Sequence, residues 1–148
     1  MHKALLVSLA VLITPGVVAI TSAAETVMLR AGDASGPNAV FAFDTQVNPR
    51  TIVIRTTQVG VVGSRFEISI DGAKKPVFSH LFTAEECKFG DGGSRCEVTI
   101  PAASADFSKI LREFRRGRAA RVSIEDAGVM KMDQTVSLTG FTKASRGL

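Results

Sequence analysis

Tryptophan and tyrosine are absent from this chain, and histidine and cysteine occur only twice each. The sole aromatic type is phenylalanine, in nine copies. Sugar-stacking platforms and protein-binding hot spots draw on Trp and Tyr. Their absence weighs against a deep carbohydrate site and leaves Phe and Arg for contacts. One histidine, His2, sits at the N-terminus, so His80 is the only imidazole in the body of the chain. Ser79 precedes it, but neighbours in a strand point to opposite faces, which excludes a nucleophile–base pair from these two. The G-x-S-x-G elbow is missing. Gly60-Val61-Val62-Gly63 lacks the Gly-Lys-Ser/Thr that completes a phosphate loop and reads as a turn. Glu85-Glu86 cannot flank a glycosidic bond from adjacent positions and reads as a solvated charge pair. No catalytic residue, cofactor site or metal-ligand set is assigned. The chain is expected to act by binding, with a hydrolase of unrecognised site as the least supported alternative.

Net charge is also small. Lysine and arginine exceed aspartate and glutamate by only four. That is far from the basic balance of a nucleic-acid binder, so no nucleic-acid partner is expected. Long apolar runs are confined to the N-terminus. His2 and Lys3 form a short basic start, Ala4 to Ile20 is apolar apart from Ser8, Thr14, Pro15 and Gly16, and Ser22-Ala23-Ala24 supplies small residues before Glu25. This is the three-part pattern of a secretory signal peptide, with cleavage expected between Ala24 and Glu25. An uncleaved anchor is the alternative, at the lower edge of bilayer-spanning length and weakened by Pro15-Gly16. The expected organisation is a signal peptide over 1–24 and a single domain over 25–148, with no transmembrane span after cleavage. The expected location is periplasmic or secreted.

Cys87 and Cys96 fit that address. An even count in an exported chain reads as a disulfide. The segment between them centres on Asp91-Gly92, a strong type I′ hairpin signal. With that pair at the tip, Gly90 faces Gly93, Phe89 faces Ser94, Lys88 faces Arg95 and Cys87 faces Cys96. The spacing suits neither a metal pair nor a C-x-x-C redox motif.

The rest reads as short strands between turn signals. Strands are expected over 26–30, 39–43, 51–57, 65–70, 76–82 (an edge), 97–100, 121–125 and 129–138. Turns are expected at Asn48-Pro49, Asp71-Gly72 and Ala127-Gly128. Such spacing predicts a sandwich or barrel. One segment has helical period: Phe107, Ile110, Leu111 and Phe114 form one stripe. Ser104 suits the N-cap, Asp106 the first turn, Arg115 and Arg116 the last turn, and Gly117 the end. The fold class expected is therefore all-β, a β-sandwich-like single domain with one α-helix over about 104–117 packed on it. On that helix Lys109, Arg112 and Arg116 lie opposite the apolar stripe, with Arg115 on its flank. With Arg118 and Arg121 they form the candidate anion- or partner-binding set, for an anionic lipid, an acidic polymer or an acidic partner. The alternative is a solvated helix face.

Several segments together resemble the invasion-associated locus B family of bacterial exported proteins. They are Ile68-Ser69-Ile70-Asp71-Gly72, the Cys87 and Cys96 pair, Glu97-Val98-Thr99-Ile100-Pro101, the helix Phe107 to Arg116, and the closing Val136-Ser137-Leu138-Thr139-Gly140-Phe141-Thr142-Lys143-Ala144. Their order and spacing match over about residues 50–144. The resemblance implies a sandwich-like domain in the bacterial periplasm or secreted, a link to virulence through host-cell invasion, and no enzymatic activity. It carries no catalytic residues. A host-cell or envelope component is the implied partner. The competing expectation is a periplasmic envelope-associated domain that binds an anionic envelope component through the Arg-rich helix.

Overall fold

The computed structural model describes residues 21–23, 26–31, 41–47, 49–146 and 148. The expected leader run Ala4–Ile20 and the Ala24–Glu25 junction lie outside these residues. Among the described residues ten strands and two helices follow one another: β1 (Thr21–Ala23), β2 (Thr26–Ala31), β3 (Phe41–Val47), β4 (Arg50–Thr57), β5 (Arg65–Ile70), β6 (Phe78–Leu81), β7 (Cys87–Gly90), β8 (Gly93–Pro101), α1 (Ala105–Arg116), β9 (Ala119–Asp126), β10 (Val129–Ser137) and the short α2 (Phe141–Ala144). They form two antiparallel sheets, ordered β1-β2-β3-β4-β8-β7 and β10-β9-β5-β6. The chain is a β-sandwich with one main helix.

Period-two alternation decides which side chains meet. Along β8 every second residue, Ser94, Cys96, Val98 and Ile100, is buried, and the residues between them are exposed. Ile52 and Ile54 of β4 stand opposite Ile100 and Val98, on the same face. In the facing sheet Phe66, Ile68 and Ile70 of β5 alternate in the same way, next to Ala120, Val122 and Ile124 of β9. These residues join one buried cluster with Phe41, Phe43, Met132 and Val136. Phe41 stacks on Phe66 with ring centroids 5.9 Å apart. Phenylalanine brings no O–H or N–H into this interior, so its rings require no buried hydrogen-bond partner.

The helix forms where the period changes. Ser104 Oγ accepts from the Asp106 N–H at 3.2 Å, capping the first turn. Phe107, Ile110, Leu111 and Phe114 are all buried. Phe114 lies 4.9 Å from Phe43 and 5.3 Å from Phe141 of α2, so the stripe packs onto the inner face of the six-stranded sheet. Gly117 ends the helix in an extended conformation (φ −80°), not the left-handed one that glycine C-caps usually take. Glycine is needed there for space: a Cβ would run into Ile70 Cγ2 and lie 3.1 Å from Leu138 Cδ1.

Turn chemistry departs from expectation at one hairpin. The register Cys87–Cys96, Lys88–Arg95, Phe89–Ser94, Gly90–Gly93 is as the sequence indicates. The turn is not type I′, because positive φ falls on Gly93 (90°) and not on Asp91 or Gly92. A left-handed glycine just after the tip is the position that a type I turn with a glycine bulge requires. Positive φ at both central residues occurs instead at Asp71-Gly72 (50° and 73°) and Ala127-Gly128 (48° and 80°).

The two ends of the sandwich differ. The tip is where β4 gives way to β5. It also holds the β7–β8 turn, the β9–β10 turn and the end of β6, since Arg65 stands opposite both Leu81 and Glu125. The base holds the Asp71-Gly72 turn, α1 and α2. There Asp71 Oδ1 accepts the N–H groups of Arg118 and Ala119, both at 2.9 Å, tying the end of β5 to the start of β9.

Candidate functional site

The six candidate cations divide into committed and free groups. Arg121 is on β9, away from the helix, and forms a bidentate pair with Asp133 at 2.7 and 2.6 Å. That pair holds the Asp133 carboxyl below its ordinary range and raises Arg121 further. Arg115 donates to Ser145 Oγ at 2.9 Å and to the Ser145 carbonyl at 2.7 Å, so it fastens the C-terminal turn to α1. Arg112 makes a surface bridge to its neighbour Glu113 at 3.1 Å, worth at most about 1 kcal/mol. Lys109, Arg116 and Arg118 are exposed. Lys143 and Arg146, also exposed, follow on and after α2, which packs on α1 through Phe141 and Phe114. The base therefore carries Lys109, Arg112, Arg116, Arg118, Lys143 and Arg146. The last two went unnoticed in the sequence because they lie outside the helix stripe.

A second polar feature lies beside the disulfide. Cys87 and Cys96 are bonded, and this cross-link pins the β7–β8 hairpin. A groove of about 470 Å³ is lined by Glu85, Glu86, Lys88, Arg95, Glu97 and Thr99. It occupies the outer face, since Lys88, Arg95, Glu97 and Thr99 have the parity opposite to the core residues of their strands. Arg55 continues this polar face, holding Glu97 at 2.7 Å and the buried Asp44 at 2.6 Å.

Glu86 is not the freely solvated partner of Glu85 that its position implies. Its carboxylate accepts the Thr83 N–H at 2.8 Å and stands 2.9 Å from His80 Nε2. Burial pushes the Glu86 carboxyl up, but the Thr83 N–H and the imidazole outweigh it and leave it below its ordinary value. The His80 ring stacks on Phe78 and meets Phe82 edge-on, with centroids 6.0 Å away in each case. Ser79 turns the other way and donates to Glu67 at 3.2 Å. Among the described residues no three His, Cys, Asp or Glu side chains are grouped to hold a metal ion.

Comparison with family models, curated proteins and solved structures finds no match for this chain.

Proposed function

We propose that this chain is a non-enzymatic exported binding factor, of the kind represented by invasion-associated locus B proteins, that engages an anionic component of an envelope or host-cell surface through its base. The observation that carries the reading is the distribution of charge at that end. Lys109, Arg112, Arg116, Arg118, Lys143 and Arg146 are exposed there. Asp71 is occupied by two backbone N–H groups. Clustered cations of this kind attract phosphate- or carboxylate-bearing surfaces over about a Debye length. Ser79 turns away from His80 to Glu67, so the two form no nucleophile–base pair, and Arg55 is held by two carboxylates. The Cys87–Cys96 bond supports an oxidising compartment.

The test is binding to vesicles rich in anionic phospholipid at low salt, for the unaltered chain and for Arg112→Glu/Arg116→Glu. The unaltered chain should bind, with affinity falling steeply as salt rises, and the double variant should bind at least ten-fold more weakly. Binding that neither falls with salt nor weakens in the double variant, or no binding at all, sinks the reading. A deletion strain that enters host cells normally but shows altered detergent sensitivity would place the role in the envelope instead of in invasion.

A further inference from the structure

The large apolar side chains most exposed among the described residues are Val61, Val62, Leu81, Phe89, Val129 and Met130. Strand register puts all six at the tip. Val61 and Val62 lie in the loop from β4 to β5. Leu81 stands opposite Arg65, the first residue of β5. Val129 and Met130 pair with Asp126 and Glu125, beside Arg65 on the neighbouring strand. Phe89, 86% exposed, lies beyond the end of β4, whose last pairing is Thr57 with Arg95. Among residues 49–146 no comparable residue is exposed at the base. Scattered surface apolar residues need no explanation, but six gathered at one end do.

The tip residues are held in place. Val61 N–H donates to Ser64 Oγ and Ser64 N–H to the Val61 carbonyl, both at 3.0 Å, and Gly63 N–H donates to the Phe82 carbonyl at 2.8 Å. The disulfide pins the hairpin that carries Phe89. A register shift between Met130 and Met132 marks a bulge at Lys131 that re-aims the residues beside it.

We infer that the tip is a lipid-contacting surface that inserts these side chains into the interfacial layer of a zwitterionic phospholipid membrane. Two observations select this occupant. First, the six residues project from four separate segments, the β4–β5 loop, the end of β6, β7 and the start of β10, with charges between them. Five of them are only about half exposed, so the tip offers scattered apolar projections and not the continuous surface of roughly 800 Å² per partner that a stable dimer needs. A bilayer interface requires no shape complementarity. Second, three of the apolar sites have a cation at hand: Lys88 precedes Phe89, Lys131 follows Met130 and Arg65 faces Leu81. Long cationic side chains can reach lipid phosphates while their stems stay in the interface. Glu85, Glu86, Asp91, Glu125 and Asp126 nearly balance Arg65, Lys88, Arg95 and Lys131, so the tip suits neutral headgroups, unlike the base.

The experiment uses the full chain and vesicles of phosphatidylcholine alone. Because the chain has no tryptophan, Phe89→Trp installs a single reporter. Its emission should shift to the blue on adding vesicles and be quenched by bromine on the lipid chains, to the same extent at low and high salt. Arg116→Trp at the base should show neither change. Phe89→Asp/Met130→Asp should lower vesicle binding at least ten-fold with an unaltered thermal melt. Arg112→Glu/Arg116→Glu should bind these vesicles as the unaltered chain does, which separates this surface from the anionic one: loss of anionic binding alone counts against the base and leaves the tip standing. Three results overturn the inference. One is an unshifted indole at position 89. Another is binding that survives Phe89→Asp/Met130→Asp and therefore runs through another part of the chain. The third is a dimer in sedimentation that the same double variant dissolves.

Discussion

Reducing the Cys87–Cys96 bond, with no substitution, frees the denatured chain while leaving the folded packing almost untouched. Nine positions separate the cysteines. On the chain-entropy relation a loop of that size corresponds to about 2.6 kcal/mol at 25 °C. For a domain of this length that is a fall in Tm of roughly 10 °C. Replacing both residues, Cys87→Ala/Cys96→Ala, should cost more, because Cys96 is 1% exposed. Removing its sulfur leaves a small cavity worth roughly 1 kcal/mol in addition. The measurement is urea unfolding followed by far-UV circular dichroism, as the chain has no Trp or Tyr to report. Alkylation and intact mass confirm the redox state of each sample. If the reduced protein keeps its stability to within about 0.5 kcal/mol, the hairpin is already formed in the denatured ensemble and the entropy argument fails. If reduction and double substitution cost the same, Cys96 contributes no packing.

Three further outcomes follow from the packing and the charges. Gly117→Ala should destabilise by about 1–3 kcal/mol, since the new methyl collides with Ile70, and its melt should fall below that of a control Gly90→Ala, where a Cβ meets nothing within 4 Å. Phe114→Ala, which strips the ring between Phe43 and Phe141, should cost about 3–5 kcal/mol by urea unfolding. Asp71, Glu86 and Asp133 all have lowered carboxyl pKa values in the fold, so their stabilisation is present above the unfolded value of about 4 and is lost as pH falls through the lower folded values. The urea midpoint should therefore fall as pH drops below about 4, and Asp71→Asn should flatten that slope. A midpoint unchanged down to pH 2.5 would contradict these assignments.

What the sequence revealed was local. The alternation in Arg65–Ile70, the stripe Phe107–Phe114 and the register around Asp91-Gly92 each follow from spacing within a dozen residues, and each appears as read. The edge position of β6 was legible too, from Pro76 and the short run after it. Long-range pairings were not. Arg115 looks like a surface cation by its helix position, yet Ser145 claims it from 30 residues away. Arg121 reads as part of a basic cluster until β10 brings Asp133 alongside. Glu86 gains its role from a turn that returns its carboxylate to His80. The type of the β7–β8 turn escaped because Gly93, just outside the Asp-Gly pair, offered the backbone a second left-handed position. The apolar tip was invisible because its members are scattered from Val61 to Met130 and converge only through register.

The order in which the strands are stitched has a consequence for how the chain matures. β4 finds its neighbour β8 only after β5 and β6 have been laid down in the opposite sheet, and β5 must wait for β9 across β7, β8 and α1. Neither layer can be completed from a contiguous stretch, and such interleaved topologies fold slowly, in milliseconds to seconds. The six-stranded sheet therefore stays incomplete until β8 exists, and the four-stranded one until β10 does.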